Sequence, residues 1–354
     1  MRDLKQGDAG SFYTYLTDGC KICHKGAKMV LFVTGLCDKR CFYCPLSEER
    51  KKSQVYANEH RVENDFEIIE EAKLMNALGT GITGGEPLLE KELVLHYIRL
   101  LKNTFGKKHH IHLYTASAPD RITIEEFCEA GLDEMRFHPP QNMWKNLEGS
   151  SYEKSMLEAK KAGIETGLEV PAIEGVENLV KFAMKNDYFI NLNELEFSDT
   201  NADELKARNY TLVDDISNAA EGSRDIAKKA INGSIKAHFC PSRYKDAIQL
   251  RKRLIRIAEI TSRPLDMITD DGTIVFGIIY SENLDKTLKI LHDNEVPDEL
   301  YEIKNNTIEI AAWVLEELAV SIQAYGRMEI VEKYPMKDGM IVESMPVLDP
   351  KTYK

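Results

Sequence analysis

Three cysteines, Cys37, Cys41 and Cys44, stand within eight residues of one another. Thiolates at this spacing can each bind a different iron of a cubane [4Fe–4S] cluster, leaving the fourth iron without a protein ligand. An iron left open accepts a small chelating molecule. A structural zinc takes four ligands, commonly in C-x2–4-C pairs, and suits the motif less well. Three unrelated thiols are the bland alternative, and the tight spacing argues against it. Further along lies Gly84-Gly85-Glu86-Pro87. Paired glycines permit positive φ and a close backbone approach to a ligand. Glu86 adds a carboxylate and Pro87 fixes the exit.

A second set of ligands is scattered. Cys20 and Cys23 form a C-x2-C pair, the spacing of a metal chelate loop, and His238 and Cys240 follow far downstream. Two arrangements fit. One is a structural zinc on Cys20, Cys23, His238 and Cys240. The other is an auxiliary iron–sulfur cluster on the three cysteines, with His24 as a spare ligand. Reduced free thiols are the alternative to both. Cys128 lies beside Ile124 and Phe127 on an amphipathic stretch and reads as a small buried hydrophobe.

The elements that position these groups follow from hydrophobic periodicity. Strands are expected at Met29–Thr34, Gly79–Thr83, His110–Ser117, Glu134–Phe137, Ile164–Pro171 and Phe189–Phe197, with amphipathic helices between them. Serial strand–helix units imply a parallel sheet with right-handed crossovers. The expected fold is α/β, a partial (β/α)6 barrel, with a smaller α+β domain after it. Expected boundaries are 1–27 for an N-terminal segment, 28–240 for the barrel and 241–354 for the rest. In such barrels chemistry sits at the C-terminal ends of the strands. The cysteine loop follows the first strand and Gly84–Pro87 the second.

That combination resembles the radical S-adenosylmethionine (SAM) superfamily, over roughly residues 28–200. Within it the chain is similar to the branch related to pyruvate formate-lyase activating enzyme, and to an archaeal group in particular. The resemblance implies that Cys37, Cys41 and Cys44 hold a [4Fe–4S] cluster whose open iron chelates SAM. It implies that Gly84, Gly85, Glu86 and Pro87 bind the methionine ammonium and that Tyr43 lies beside the adenine. It further implies reductive cleavage of SAM to a 5′-deoxyadenosyl radical, with an electron donor such as ferredoxin or flavodoxin. Matched by position, Thr115, Ser117 and Glu169 are candidates for holding the ribose and methionine.

Other strand ends carry Arg136, His138, Glu194 and Glu196. Residues two apart share a face, so Arg136 and His138 pair on one side, as do Glu194 and Glu196. If that side is the interior, Arg136 needs a carboxylate, and Glu194 or Glu196 would supply it. Glu196, His138 and Arg136 are the candidate catalytic residues; rim salt bridges are the bland alternative.

Composition bounds the function. The chain has 354 residues, 46 Lys+Arg against 58 Asp+Glu, and a net charge of −12. That balance offers no general attraction to nucleic acid or anionic membranes. One basic stretch, with Arg243, Lys245, Arg251, Lys252, Arg253 and Arg256, is the place for phosphate or RNA contact; a solvated face is the simpler reading. No leader-like or membrane-length apolar run is present, so a cytoplasmic enzyme is expected. Seven cysteines are too few for a disulfide scaffold. Its substrate is a small molecule or a macromolecule, with a glycyl-radical-type activase or a tRNA-modifying enzyme as alternatives. Outside enzymes, the alternative is a metal-binding scaffold, which has no use for Gly84–Pro87.

Overall fold

Alternate residues on the strands of the N-terminal region carry opposite chemistry. Leu31, Ile82, Leu113, Phe137, Leu168 and Leu192 face one way and are buried. His112, Arg136, Glu169, Asn191 and His238 face the other way and are buried too. Strands covered on both faces belong to a parallel sheet wrapped by other elements.

The computed structural model describes residues 2–336 and 339–347. It contains seven parallel strands, hydrogen-bonded side by side in chain order. They are β1 (Lys28–Phe32), β2 (Gly79–Thr83), β3 (His110–Thr115), β4 (Glu134–Phe137), β5 (Glu165–Pro171), β6 (Phe189–Asn193) and β7 (Lys236–Cys240). All six expected strands are present. The seventh, Lys236–Cys240, escaped the sequence reading because its interior face is polar and only Ala237 and Phe239 carry apolar signal.

The helices are α1 (Asp18–His24), α2 (Asp65–Leu74), α3 (Lys91–Phe105), α4 (Arg121–Ala130), α5 (Ser151–Lys161), α6 (Val176–Asn186), α7 (Ala202–Ala207) and α8 (Ser223–Ala230). From α2 onward they form the crossovers. Gly131 ends α4 in the left-handed conformation, φ 102°. Short antiparallel strands extend both edges, Phe12–Tyr13 and Lys5–Gln6 beyond β7, Val55–Ala57 and His60–Val62 beyond β1. The strand order therefore does not close, which makes the barrel partial.

Helix α1 lies on the polar face. Thr17 caps it by accepting from the Cys20 amide. A Cβ on Gly19 would meet Arg136 Nη2 at 2.7 Å and His112 Nδ1 at 2.8 Å. Only glycine lets α1 settle there. Residues 2–27 thus fold onto the barrel sheet.

Arg136 organises the interior. Its Nε donates to Glu134 Oε1 at 2.5 Å, and its Nη1 donates to Glu169 Oε2 at 2.7 Å and Tyr114 at 2.9 Å. The partners differ from those expected. β6 ends at Asn193, so Glu194 and Glu196 lie beyond the sheet, whereas β5 runs beside β4 with Gly167 opposite Arg136. Glu169 also accepts from Asn191 and Asn193, both at 3.0 Å. Burial alone would raise the Glu169 pKa; Arg136, Asn193 and Asn191 outweigh it and hold it at about 2.

Contacts divide the chain into two units, the second comprising Leu74–Asn76 and the residues from Arg251 onward. The second has an antiparallel sheet built from β8 (Ile274–Ser281), β9 (Tyr301–Lys304), β10 (Thr307–Ile310), β11 (Gly326–Lys333) and β12 (Ile341–Pro346), in the order β9-β10-β8-β11-β12, with the short strand Met267–Ile268 also pairing β8. Its remaining helices are α9 (Leu250–Thr261), α10 (Leu284–Asp293) and α11 (Ala312–Ile322). Phe276, Ile279, Leu291, Ile308, Leu315 and Ile322 form its core. Among the described residues no helix is long and apolar enough to cross a membrane.

Replacing Arg136 with Leu strands two carboxylates in the interior. The expected loss is about 3–5 kcal/mol, read as a lower urea midpoint. In the wild type the depressed Glu169 pKa contributes stability above the unfolded value of about 4.3. That contribution is lost as pH falls through about 2. Arg136→Leu should flatten the acid limb of a stability-versus-pH curve.

Candidate functional site

β1 and β2 are neighbouring parallel strands, so the loops that follow them leave the sheet side by side. Backbone bonds stitch the two together. Gly85 N donates to Thr34 O at 2.7 Å, and Glu86 N donates to Leu36 O at 2.8 Å. A Cβ on Gly84 would lie 2.4 Å from Thr34 O, and one on Gly85 2.4 Å from Leu36 O. Neither glycine has a positive φ. The approach these glycines permit is therefore to the cysteine loop, where the sequence had suggested a turn or a ligand.

Glu86 is fully buried. Its carboxylate accepts from Thr115 Oγ1 at 2.8 Å, the Ala116 amide at 2.7 Å and the Leu88 amide at 3.0 Å. An ionised carboxylate offers about four acceptor positions, so one remains. Thr115 is spent on Glu86 and also accepts from the Ser117 amide at 3.0 Å. Ser117 is half-buried, and Pro87 begins the turn that leads into α3.

Cys37 is exposed; Cys41 and Cys44 are half-buried. Burial raises the thiol pKa of Cys37 and Cys41. The loop after β6 pins the cysteine loop from the side. Asn201 Nδ2 donates to Tyr43 O at 3.2 Å and to Glu196 O at 2.9 Å, and Thr200 Oγ1 donates to Cys44 O at 3.4 Å. No motif marked Asn201 or Thr200 in the sequence.

Tyr43 is buried, with its hydroxyl 2.9 Å from His138 Nε2. Burial lowers the His138 pKa, so the ring is neutral at pH 7. The nearby Glu169 backbone opposes that fall. Glu196 pairs with Lys245 at 2.6 Å, and Glu194 accepts from the Ser242 amide at 3.0 Å. A π-helical turn, Tyr244–Gln249, begins at this point. Lys245 thus contributes to an internal ion pair, and α9 carries the rest of the basic stretch from Arg251.

Cys20, Cys23, His238 and Cys240 share the polar interior below this rim. Cys20 Sγ accepts from Arg136 Nη2 and Asn191 Nδ2, each at 3.5 Å. The β6–β7 register sets His238 beside Asn191 and Cys240 beside Asn193. Burial holds the His238 pKa at about 3. A further group, His110, His112 and Glu134, places one ligand atom each within 4.8 Å of the others. Glu134 there already carries the Arg136 ion pair and accepts from Gly19 N at 3.2 Å. The two-residue period from Arg136 and Tyr114 would have found Glu134 and His112. Cys128 is half-buried and donates to Ala162 O at 3.2 Å.

The family model of the radical SAM superfamily matches residues 31–140, and a model described as domain of unknown function (DUF8061) matches residues 272–347. A Methanocaldococcus jannaschii protein named "putative glycyl-radical enzyme activating enzyme" is 39% identical over 362 aligned positions, covering 95% of this chain and 94% of that protein. Among solved structures, methylornithine synthase aligns at TM-score 0.40 and 12% identity, covering 59% of this chain and 63% of that one. The FeFe-hydrogenase maturase of Carboxydothermus hydrogenoformans aligns at TM-score 0.38 and 16% identity, covering 64% and 51%.

Gly85→Ala drives a methyl group into the Leu36 carbonyl. The expected cost is about 1–3 kcal/mol. The two loops should separate, and iron bound per chain after anaerobic reconstitution should fall well below wild type.

Proposed function

The chain belongs to the radical SAM superfamily, and from that premise we propose which residues serve the reaction and what it acts on. Cys37, Cys41 and Cys44 would hold the [4Fe–4S] cluster, and Gly84–Pro87 would bind SAM beside it. When bound, the pair supplies a 5′-deoxyadenosyl radical through one-electron reduction of SAM. The observation that carries this assignment is the stitching of the two loops. The loop that carries the three thiols lies beside the loop that carries a buried carboxylate held by three donors, which supports this reading.

The protein's own contributions follow from the contacts. Glu86 ties the end of β2 to the end of β3 and keeps the ammonium-binding loop rigid. Asn201 fixes the Tyr43 backbone, and neutral His138 fixes its ring, so the adenine-facing wall is set before SAM arrives. Ser117 is the hydroxyl available to the ribose or methionine. Glu169, held by Arg136, Asn191 and Asn193, is a positioning residue for the strand ends. Arg136 is likewise a positioning residue, and Glu196 with Lys245 closes the rim. A second metal group, zinc or iron–sulfur, would sit at Cys20, Cys23, Cys240 and His238.

The substrate we propose is a protein, activated by hydrogen abstraction from a backbone glycine. The name and near-complete coverage of the 39%-identical relative support this reading. The electron would come from ferredoxin or flavodoxin in a reducing compartment, which the seven unpaired cysteines suit. Exposed Arg40 beside Cys41 suits an acidic donor.

With dithionite and SAM, the reconstituted protein should release methionine and 5′-deoxyadenosine. Cys37→Ala should abolish both products. Absence of 5′-deoxyadenosine from the wild type would refute the assignment. With a protein partner labelled at glycine Cα by deuterium, the 5′-deoxyadenosine should carry the label; unlabelled product would move the substrate away from protein glycine.

A further inference from the structure

We propose that Phe42 and Arg208 are positioning residues for SAM cleavage: the segments on either side of α7 grip the cysteine loop, and the Phe42 ring carries that grip to Tyr43. This deepens the reading above and rests on it for the location of the cluster and of SAM.

The two halves of the cysteine loop are held by different elements. Before the motif, Leu36 O accepts from the Glu86 amide at 2.8 Å, which ties that half to the loop after β2. The other half, Phe42 to Cys44, is held from α7. On the N-terminal side of the helix, Asn201 and Thr200 reach the Tyr43 and Cys44 carbonyls. Asn201 is itself fixed, because its Oδ1 accepts from the Ser198 amide at 2.8 Å.

On the C-terminal side the chain reverses. Asn209 N donates to Lys206 O at 2.9 Å and Tyr210 N donates to Leu205 O at 3.1 Å. These two bonds make a Schellman closure. It requires a left-handed residue, and Asn209 takes φ 62°, a conformation asparagine tolerates. Leu205 is fully buried, so the turn has a firm base. The reversal brings both neighbours of Asn209, Arg208 and Tyr210, to one ring.

That ring is Phe42. Arg208 Cζ lies 4.4 Å from its centroid, inside the reach of about 6 Å over which a guanidinium is attracted to an aromatic face. The Tyr210 ring lies 6.5 Å away at 20° to it, an offset stack. Glu204 fixes the guanidinium: its carbonyl accepts from Nη1 at 2.9 Å and its carboxylate pairs with the same nitrogen. Phe42 then meets Tyr43 edge-on, at 4.9 Å and 76°. Phe42 is half-buried, whereas Tyr43 is buried against His138. The wall assigned to the adenine is thus braced from behind.

These contacts select a ring rather than an apolar volume. Leucine would fill the space but offers a guanidinium no face and Tyr43 no aromatic partner. Neither Phe42 nor Arg208 carries an iron ligand. Loosening them should change how SAM is held and leave the three thiols in place.

The test uses the full chain, reconstituted anaerobically, with iron content, KM for SAM and kcat for 5′-deoxyadenosine formation as readouts. Phe42→Leu should keep the wild-type iron and raise KM about three- to tenfold. Its kcat should stay within about twofold, the mark of lost binding rather than lost chemistry. Its reduced-cluster EPR signal should match wild type without SAM and differ with SAM bound. Phe42→Tyr keeps the ring and should restore the wild-type KM. Arg208→Gln should raise KM about two- to fivefold. If Phe42→Leu loses iron, Arg208→Gln decides alone, because its side chain lies at the surface. A wild-type KM in Arg208→Gln, or in an iron-replete Phe42→Leu, overturns the proposal. So do equal losses in Phe42→Leu and Phe42→Tyr. A wild type that releases no 5′-deoxyadenosine refutes the cluster and SAM assignment itself, and the clamp with it; SAM cleavage with unchanged KM in the variants refutes the clamp alone.

Discussion

A guanidinium held between two carboxylates sets the interior of the barrel. Arg136, Glu134 and Glu169 are each nearly fully buried, and none could be tolerated there alone. The group reaches in every direction that matters. Glu134 accepts from the backbone of α1, and Arg136 touches the Thr17 cap and Cys20. Glu169 gathers Asn191 and Asn193 from β6, and His138, two residues beyond Arg136, meets Tyr43 of the cysteine loop. One ion network thus connects the N-terminal helix, the strand ends and the cluster loop.

Glycine makes this density possible at two depths. In the interior, Gly19 and Gly81 each face His112, with Cβ positions 2.8 and 2.6 Å from its ring nitrogens. At the rim, Gly84 and Gly85 let one loop lie against another's carbonyls. In neither place is positive φ the reason. Steric closeness between backbones and side chains is what the sequence pays for here with conformational entropy.

The sequence was most legible where local pattern and chemistry coincide. Expected strands such as Met29–Thr34 and Ile164–Pro171 carry apolar runs, and Cys37-x3-Cys41-x2-Cys44 and Gly84–Pro87 each follow an expected strand. β7 was obscured because a strand with a polar interior face has only two apolar positions in five residues. The partners of Arg136 were misjudged for a related reason. Period-2 alternation says which residues share a face but not where a strand stops, and β6 stops before Glu194. Asn201 and Thr200 reach the cysteine loop through side-chain hydrogen bonds to its backbone, and a long-range bond of that kind leaves no local signature. Lys245 looked like part of a basic helix because charge counting ignores the π-helical turn that separates it from α9.

Closed (β/α)8 barrels are ordinarily filled by layers of branched apolar side chains. This one is filled instead by arginine, lysine, histidine, glutamate, asparagine and thiols. Such a core is harder to stabilise, because each polar atom must find a partner or cost free energy. Most do find partners. The exceptions concentrate on the side chains nearest α1 and β7, where His112 and His238 leave both ring nitrogens unused. A packing role predicts that unsatisfied groups be scattered or absent. Their concentration around an inserted helix marks the part of the interior where packing alone leaves polar groups unsatisfied.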